Sequence, residues 1–479
     1  MSERKLRRGA IRTATAILAA TASAAFVTSL QTSSGWAATS VNCDTGGDLS
    51  AAIAAAPSGS TIQVSGTCTG HFVIDHSLTL VGPATLDGGG SGTVLAVISN
   101  PTVVLQTLTV QHGSAGDGGG ISNDGTLTLK DVTVTDNTAS EAGGGIFNDG
   151  NLTVSSSSKV TSNSATSDGG GIQNNETLSM SNSSVTNNSS YYGGGVENTQ
   201  TATISNSTLS GNTVGYEGGG IWNGRFLTVK GSFVSGNAAP FGAGIWTGYY
   251  GFDTLTVSSS TFSNDVASIE GGALFTQDGS TSVSGSSLTS NAASNAGGVL
   301  FNDHGVVTFT NSTLSTNTAD HGAAVASGAG TVTLNTSTVS GNNAVSGGGG
   351  FSNDGTLNLN GSKVTDNHAN NGVGGGFFDE NGTIKLTGTT VSNNTSTGDG
   401  GGISTQNTAL TVTGSFLTGN TAGGRGGGLF ENGASALFKN SSVTSNTATN
   451  GGGIYVQSGS LTLQSSSVSG NHPNNCVNC

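Results

Sequence analysis

From Gly118 onward, apolar and polar residues alternate in short runs and never in a helical period. After Ile121 come the turn residues Asn123-Asp124-Gly125, then "TLTLK" (Thr126–Lys130) and "VTVT" (Val132–Thr135), rich in β-branched residues. Period-two alternation of that composition predicts strands separated by turns. The unit then repeats. An apolar residue follows a small-residue triplet fourteen times, from Ile121, Ile146 and Ile172 to Leu429 and Ile454. The spacing is 24 to 26 residues, except for 29 between Ile245 and Leu274. Such a period predicts a solenoid in which each coil of about 25 residues stacks only on its neighbours.

Helical solenoids are excluded by the alternation, and the LxxLxL spacing of a leucine-rich repeat is missing. Three short strands per coil are expected, at Gly-Gly-Gly-Ile, Thr-Leu-Thr-Leu and Val-Thr-Val-Thr. Stacking about 4.8 Å apart then brings equivalent residues into columns. One column is apolar, including Val134, Val160, Val185, Leu209 and Val234. Two residues earlier lies a hydroxyl column with Ser183, Ser207 and Ser232, and three residues later an Asn column from Asn137 to Asn471, broken once by Asp265. A stacked amide can bond both the turn and the next amide, so structure accounts for these Asn without catalysis.

The Gly-Gly-Gly-Ile and Val-Thr-x-Asn columns resemble the repeats of chlamydial polymorphic outer membrane proteins, which read GGA followed by Ile, Leu or Val, and FxxN. The chain also resembles the right-handed parallel β-helix superfamily typified by pectate-lyase-like folds, over about residues 41 to 479. The resemblance implies an all-β, right-handed parallel β-helix. It differs from the chlamydial type in having Val or Leu where Phe is usual. With no barrel-like segment before Cys479, display by a barrel of its own is not expected.

The chain's first part adds a second kind of signal. Residues 1–37 read as a secretory signal peptide, with Arg4, Lys5, Arg7, Arg8 and Arg12 ahead of an apolar, Ala-rich stretch and a small-residue site at Ala37. An uncleaved anchor is the alternative; no later segment suits a membrane span. Residues 38–117 form a cap and irregular first coils, 118–471 the repeat array, and 472–479 a tail with CxxC. "DLSAAIAAAPSG" predicts a capping helix with Asp48 as N-cap, ended by Pro57 and Gly59. It would cover the open strand edges of the first coil. Four cysteines suit an oxidising compartment. Cys43 and Cys68, one coil length apart, are the favoured disulfide among three connectivities, and Cys476 with Cys479 a terminal clamp.

Charge narrows the partners. Without the leader the chain holds eight basic and 26 acidic residues, so it lacks the basic groove that nucleic acid requires. Lyase chemistry on this fold uses calcium and an Arg or Lys base. Arg225 and Arg425 stand eight coils apart, about 38 Å, and cannot share a site. Asp124 and Asp149 hold the same turn position on adjacent coils, roughly 5 Å apart, which suits paired carboxylates or a calcium ion. Asp-Gly also simply suits the turn. His304 and His321 show no metal-ligand spacing and read as surface residues.

The aromatic residues carry the more specific signal. Trp222 and Trp246 each follow the inward Ile column and are expected to face outward, with Phe275 and Phe301 continuing the stripe. Tyr191, Tyr192, Tyr216 and Phe241 cluster before the glycines, and the one long coil inserts "GYYGFD", bearing Tyr249 and Tyr250. Such a stripe suits the flat faces of a polysaccharide. A stripe covered by the inserted loop, or a patch for another protein, is the competing reading. The expectation is a secreted, non-enzymatic monomer that binds extracellular polysaccharide or a cell-surface protein, as adhesin or scaffold. The alternative is a polysaccharide lyase or glycoside hydrolase. No cofactor is expected, calcium aside.

Overall fold

A computed structural model describes residues 39–249 and 251–479. The proposed signal segment and Tyr250 lie outside the described residues. From Ile121 the chain runs as a parallel β-solenoid. The first regular coil holds strands Ile121–Asn123, Thr126–Lys130 and Thr133–Thr135, and the next Ile146–Asn148, Asn151–Ser155 and Lys159–Thr161. Each lies in parallel register on its equivalent: Ile121 on Ile146 on Ile172, and Val134 on Val160 on Val185. These apolar columns are fully buried and form the long, thin core.

To the three expected strands the structure adds a fourth, at Thr138–Ala139, Ser164–Ala165 and their equivalents. These stack in a second, separate parallel sheet. The sequence hides it because it is only two to five residues long, too short to show alternation. The first strand also begins at the Ile; the glycines before it make the bend. Gly143 takes a left-handed φ of 66°, and a Cβ on Gly145 would lie 2.7 Å from the Gly171 carbonyl of the next coil. One glycine turns the chain and the third lets two backbones meet.

The corner after the third strand is closed by the Asn column, buried from Asn137 to Asn446. Asn163 Nδ2 donates to Asn188 Oδ1 at 3.1 Å and to the Val134 carbonyl at 3.0 Å, while Asn163 N–H also donates to Asn188 Oδ1. Asn188 repeats the pattern on Asn212. A second amide ladder runs up the first strand, from Asn123 through Asn148, Asn174 and Asn198 to Asn223, with Nδ2 to Oδ1 distances of 2.7 to 2.8 Å. The hydroxyl column is a third ladder: Ser183 N–H donates to Ser207 Oγ, and Ser207 N–H to Ser232 Oγ.

At the first coil, helix Leu49–Ala55 covers the open end. The Asp48 carboxylate accepts the Ala51 N–H at 3.0 Å, and Leu49 and Ile53 are buried on the core. Cys43 is bonded to Cys68 and Cys476 to Cys479, as the spacing favoured. The tail strand Cys476–Val477 lies on Ile454–Tyr455. Among the described residues no helix is long and apolar enough to cross a membrane.

The amide ladder makes a quantitative expectation. Asn188→Ala leaves the Asn163 N–H and Nδ2 without their acceptor in a buried corner, which costs about 2–4 kcal/mol. Thr153→Ala, on a half-exposed outward position, changes stability by about 0.5 kcal/mol or less. Urea unfolding of the two variants measures the difference.

Candidate functional site

The aromatic residues gather on the coils from Val196 to Phe301. Strand register brings Glu197, Trp222, Trp246, Phe275 and Phe301 into one column beside the inward Val-Ile-Leu column. Their rings stack. Trp222 and Trp246 lie 5.2 Å apart at 8°, Trp246 and Phe275 6.3 Å at 15°, and Phe275 and Phe301 5.2 Å at 23°.

The stripe is not exposed, which corrects the expectation of an outward sugar-binding face. Trp222 is 1% exposed, Trp246 2% and Phe275 8%. Period-two alternation does point these side chains away from the central core. The fourth strand, which precedes the glycine triplet, closes over them. Tyr192, Phe241 and the loop residue Tyr249 pack on the stack as a lid, with Phe301 partly buried at its end. The buried indole of Trp222 donates Nε1–H to Glu217 Oε2 at 3.1 Å, on the strand that forms the cover. The competing reading, in which the inserted loop helps cover the stripe, describes the molecule better.

What reaches solvent is the outer layer. Tyr191 is 47% exposed and Tyr216 37%, and their rings are parallel, 5.8 Å apart at 6°. Tyr192 meets both edge-on, and Phe241 packs edge-on against Tyr216 at 5.5 Å. Gly215 makes room for this ledge, since a Cβ there would lie 2.8 Å from the Tyr191 ring. Burial, with Glu217 and then Tyr191 as secondary causes, raises the Tyr216 phenol above its ordinary pKa, so it stays a hydrogen-bond donor. Phe252, 85% exposed in the inserted loop, has no repeat signal, because the loop has no equivalent on a neighbouring coil.

The carboxylate pair sits elsewhere. Asp124 and Asp149 are both exposed in successive turns. Asp149 Oδ1 accepts Asn175 Nδ2 at 2.8 Å, and Asn175 Oδ1 in turn accepts from Gln173 Nε2 and the Thr199 hydroxyl. That is a polar ladder along the turn. Asp149 also borders Asp117, whose carboxyl is raised by burial and then by Glu141, Asp149 and Asp168. Among the described residues no three His, Cys, Asp or Glu converge to hold a metal ion. The two arginines are occupied in packing. Arg425 pairs with Asp399 at 2.7 Å and lies over the Phe430 and Tyr455 rings, and Arg225 donates to Gln200 Oε1 at 2.8 Å.

The fold and its columns define a parallel β-solenoid built on amide ladders. Two of its segments, residues 131–149 and 388–406, match the family model of the Chlamydia polymorphic membrane protein (Chlamydia_PMP) repeat. Each match spans one corner of the solenoid, from the third strand through Asn137 or Asn394 and the glycine triplet to the next first strand. No curated protein matches the chain.

The buried stack predicts that its tryptophans stabilise the array. Trp222→Ala removes a fully enclosed indole and lowers stability by about 3–5 kcal/mol. Tyr191→Ala, on the exposed ledge, costs about 1 kcal/mol. Thermal or urea unfolding, followed by circular dichroism, separates the two.

Proposed function

We propose that this chain is an exported, surface-associated adhesin or scaffold that holds extracellular polysaccharide on the ledge formed by Tyr191 and Tyr216. The observation that carries the reading is the pair of parallel, half-exposed phenol rings backed by the closed aromatic stack. Saccharide C–H faces pack on such rings, and the two hydroxyls add hydrogen bonds. The ledge is also pre-ordered. Edge contacts from Tyr192 and Phe241 hold the rings, so binding orders few side chains.

Several features support the exported setting. The leader-like sequence of residues 1–37, the two disulfides, and the acidic, Gly-rich and Lys-poor composition all suit an extracellular rod. The matched repeat comes from a membrane-protein family, which favours the cell surface. Calcium could accompany the acidic turns around Asp117 and Asp149 as a loosely held counter-ion; the ledge does not require it.

Retention on immobilised polysaccharides, with and without calcium, tests the proposal. The double variant Tyr191→Ala, Tyr216→Ala is expected to weaken retention at least about ten-fold, with an unchanged circular dichroism spectrum. Undiminished retention by that variant would remove the ledge as the site. New reducing ends or unsaturated sugars in the eluate would instead assign the lyase or hydrolase reading.

A further inference from the structure

The Asn column that closes each corner contains one acid, Asp265, and its surroundings differ from those of an ordinary carboxylate. At every regular position the amide plays two parts. Its Oδ1 accepts two N–H groups from the coil before, and its Nδ2 donates to the next Oδ1 and to a carbonyl of the apolar column. Asn237 gives to Asp265 Oδ1 through both its N–H and its Nδ2, at 2.9 Å each. Asp265 N–H donates to Asn291 Oδ1 at 3.1 Å. Oδ1 therefore sits where an amide oxygen sits.

The second oxygen takes the place of the amide nitrogen. A Cβ on the third glycine of the triplet would lie 2.9 Å from Asn163 Nδ2 at Gly145, and 3.3 Å from Asn237 Nδ2 at Gly220. At Gly244 it would lie 3.2 Å from Asp265 Oδ2. The groups that an amide at this position would address are acceptors. They are the Val234 carbonyl, equivalent to the Leu209 and Phe262 carbonyls bonded by Asn237 and Asn291, and Asn291 Oδ1. Asp265 is completely buried, and among the described residues no donor reaches its Oδ2. A carboxylate there would place a charge against two oxygens in a dry corner.

We infer that Asp265 is a neutral carboxylic acid whose O–H replaces the amide N–H of the ladder, making the coil from Ile245 to Glu270 a pH-sensitive joint in the solenoid. The groups packed on it carry no charge: Asn237 from the coil before, Gly244 on its own coil, and Asn291 from the coil after. No charged neighbour adds to the effect; burial alone drives the carboxyl up to about 7, and the two bonds from Asn237 only partly oppose it. The direction of the linkage follows. A raised pKa means that the folded chain holds a proton the unfolded chain has lost. The stabilisation is complete below the ordinary carboxylate pKa of 3.8 and is lost as pH rises through about 7. The joint lies in the coil that carries Trp246 and the inserted loop beside the tyrosine ledge.

Asp265→Asn, which restores the amide, tests this in the full chain. At pH 8.5 the wild type is expected to unfold about ten-fold or more faster than the variant, and at about pH 3.5, below the ordinary carboxylate pKa, the two should agree within about two-fold. Infrared difference spectra between wild type and variant supply a second reading, independent of stability. They should show a protonated carboxyl C=O band at pH 5.5 that fades by pH 8.5. Parallel pH dependence in the two proteins, or a carboxylate band already present at pH 5.5, would overturn the inference.

Discussion

The corner of each coil sets the terms for everything else. After the third strand the backbone must turn inward, and its N–H and C=O groups enter a space no water reaches, where each unpaired group would cost about 1–3 kcal/mol. Among neutral side chains of this size, an amide both accepts and donates strongly enough to pair the turn and pass a bond to the next coil. Asn163 and Asn188 do both at once. A bond from coil to coil is possible only if equivalent residues lie directly over one another. The ladder therefore enforces register, register aligns the apolar columns, and aligned columns close a core too thin to be stable as a single layer. The largest length change falls in a turn away from the corner, at Gly248–Asp253.

Acids elsewhere in the stacked columns show how sensitive such a ladder is to donor balance. Asp379 and Glu431 stand in the column of the second ladder and are also buried, and burial raises both carboxyls. Each is met by donors. Asp379 accepts from Asn353 Nδ2, the Thr408 hydroxyl and the Gly382 N–H, and Glu431 from the Thr405 hydroxyl and the Ala434 N–H. Those sites suit a charged form. The second oxygen of Asp265 receives no such donor, so buried acids in neighbouring columns of one fold differ in the partners that meet them.

Much of this architecture is legible in the chain because a repeat states each structural requirement many times. The columns of Val134, Ser183 and Asn163 could be read directly, as could the Asp48 cap and the Cys43–Cys68 pairing. The fourth strand could not. Thr138–Ala139 has neither length nor alternation, and it is defined only by the partner it stacks on. Without that strand, Trp222 and Trp246 read as exposed. Alternation along a strand reports which side of its own sheet a residue faces; whether that side meets solvent depends on a different strand closing over it, here the fourth strand that ends at Glu217, five residues before Trp222. Tyr191 and Tyr216 lie on the outside of that segment, so the ledge could be named from sequence but its division from the stack below could not.

The place of the aromatic stack has its own cause. The second amide ladder runs unbroken from Asn123 to Asn223, donates there to the Thr247 hydroxyl at 3.0 Å, and reaches Thr276 on the following coil. A hydroxyl is shorter than an amide and cannot accept and donate along the column in the same way; Thr276 bonds Thr281 within its own coil instead. The interruption coincides with the inserted loop, whose chain leaves the repeat at Gly248. Across these same coils Trp222, Trp246, Phe275 and Phe301 stack continuously. Ring stacking tolerates small changes of register that a hydrogen-bond ladder does not. The aromatic column thus bridges the coils where the amide column fails, and a loop can be inserted there without opening the solenoid. The exposed tyrosines grow out of that repair, which places a rigid aromatic surface beside the one irregular loop of the array.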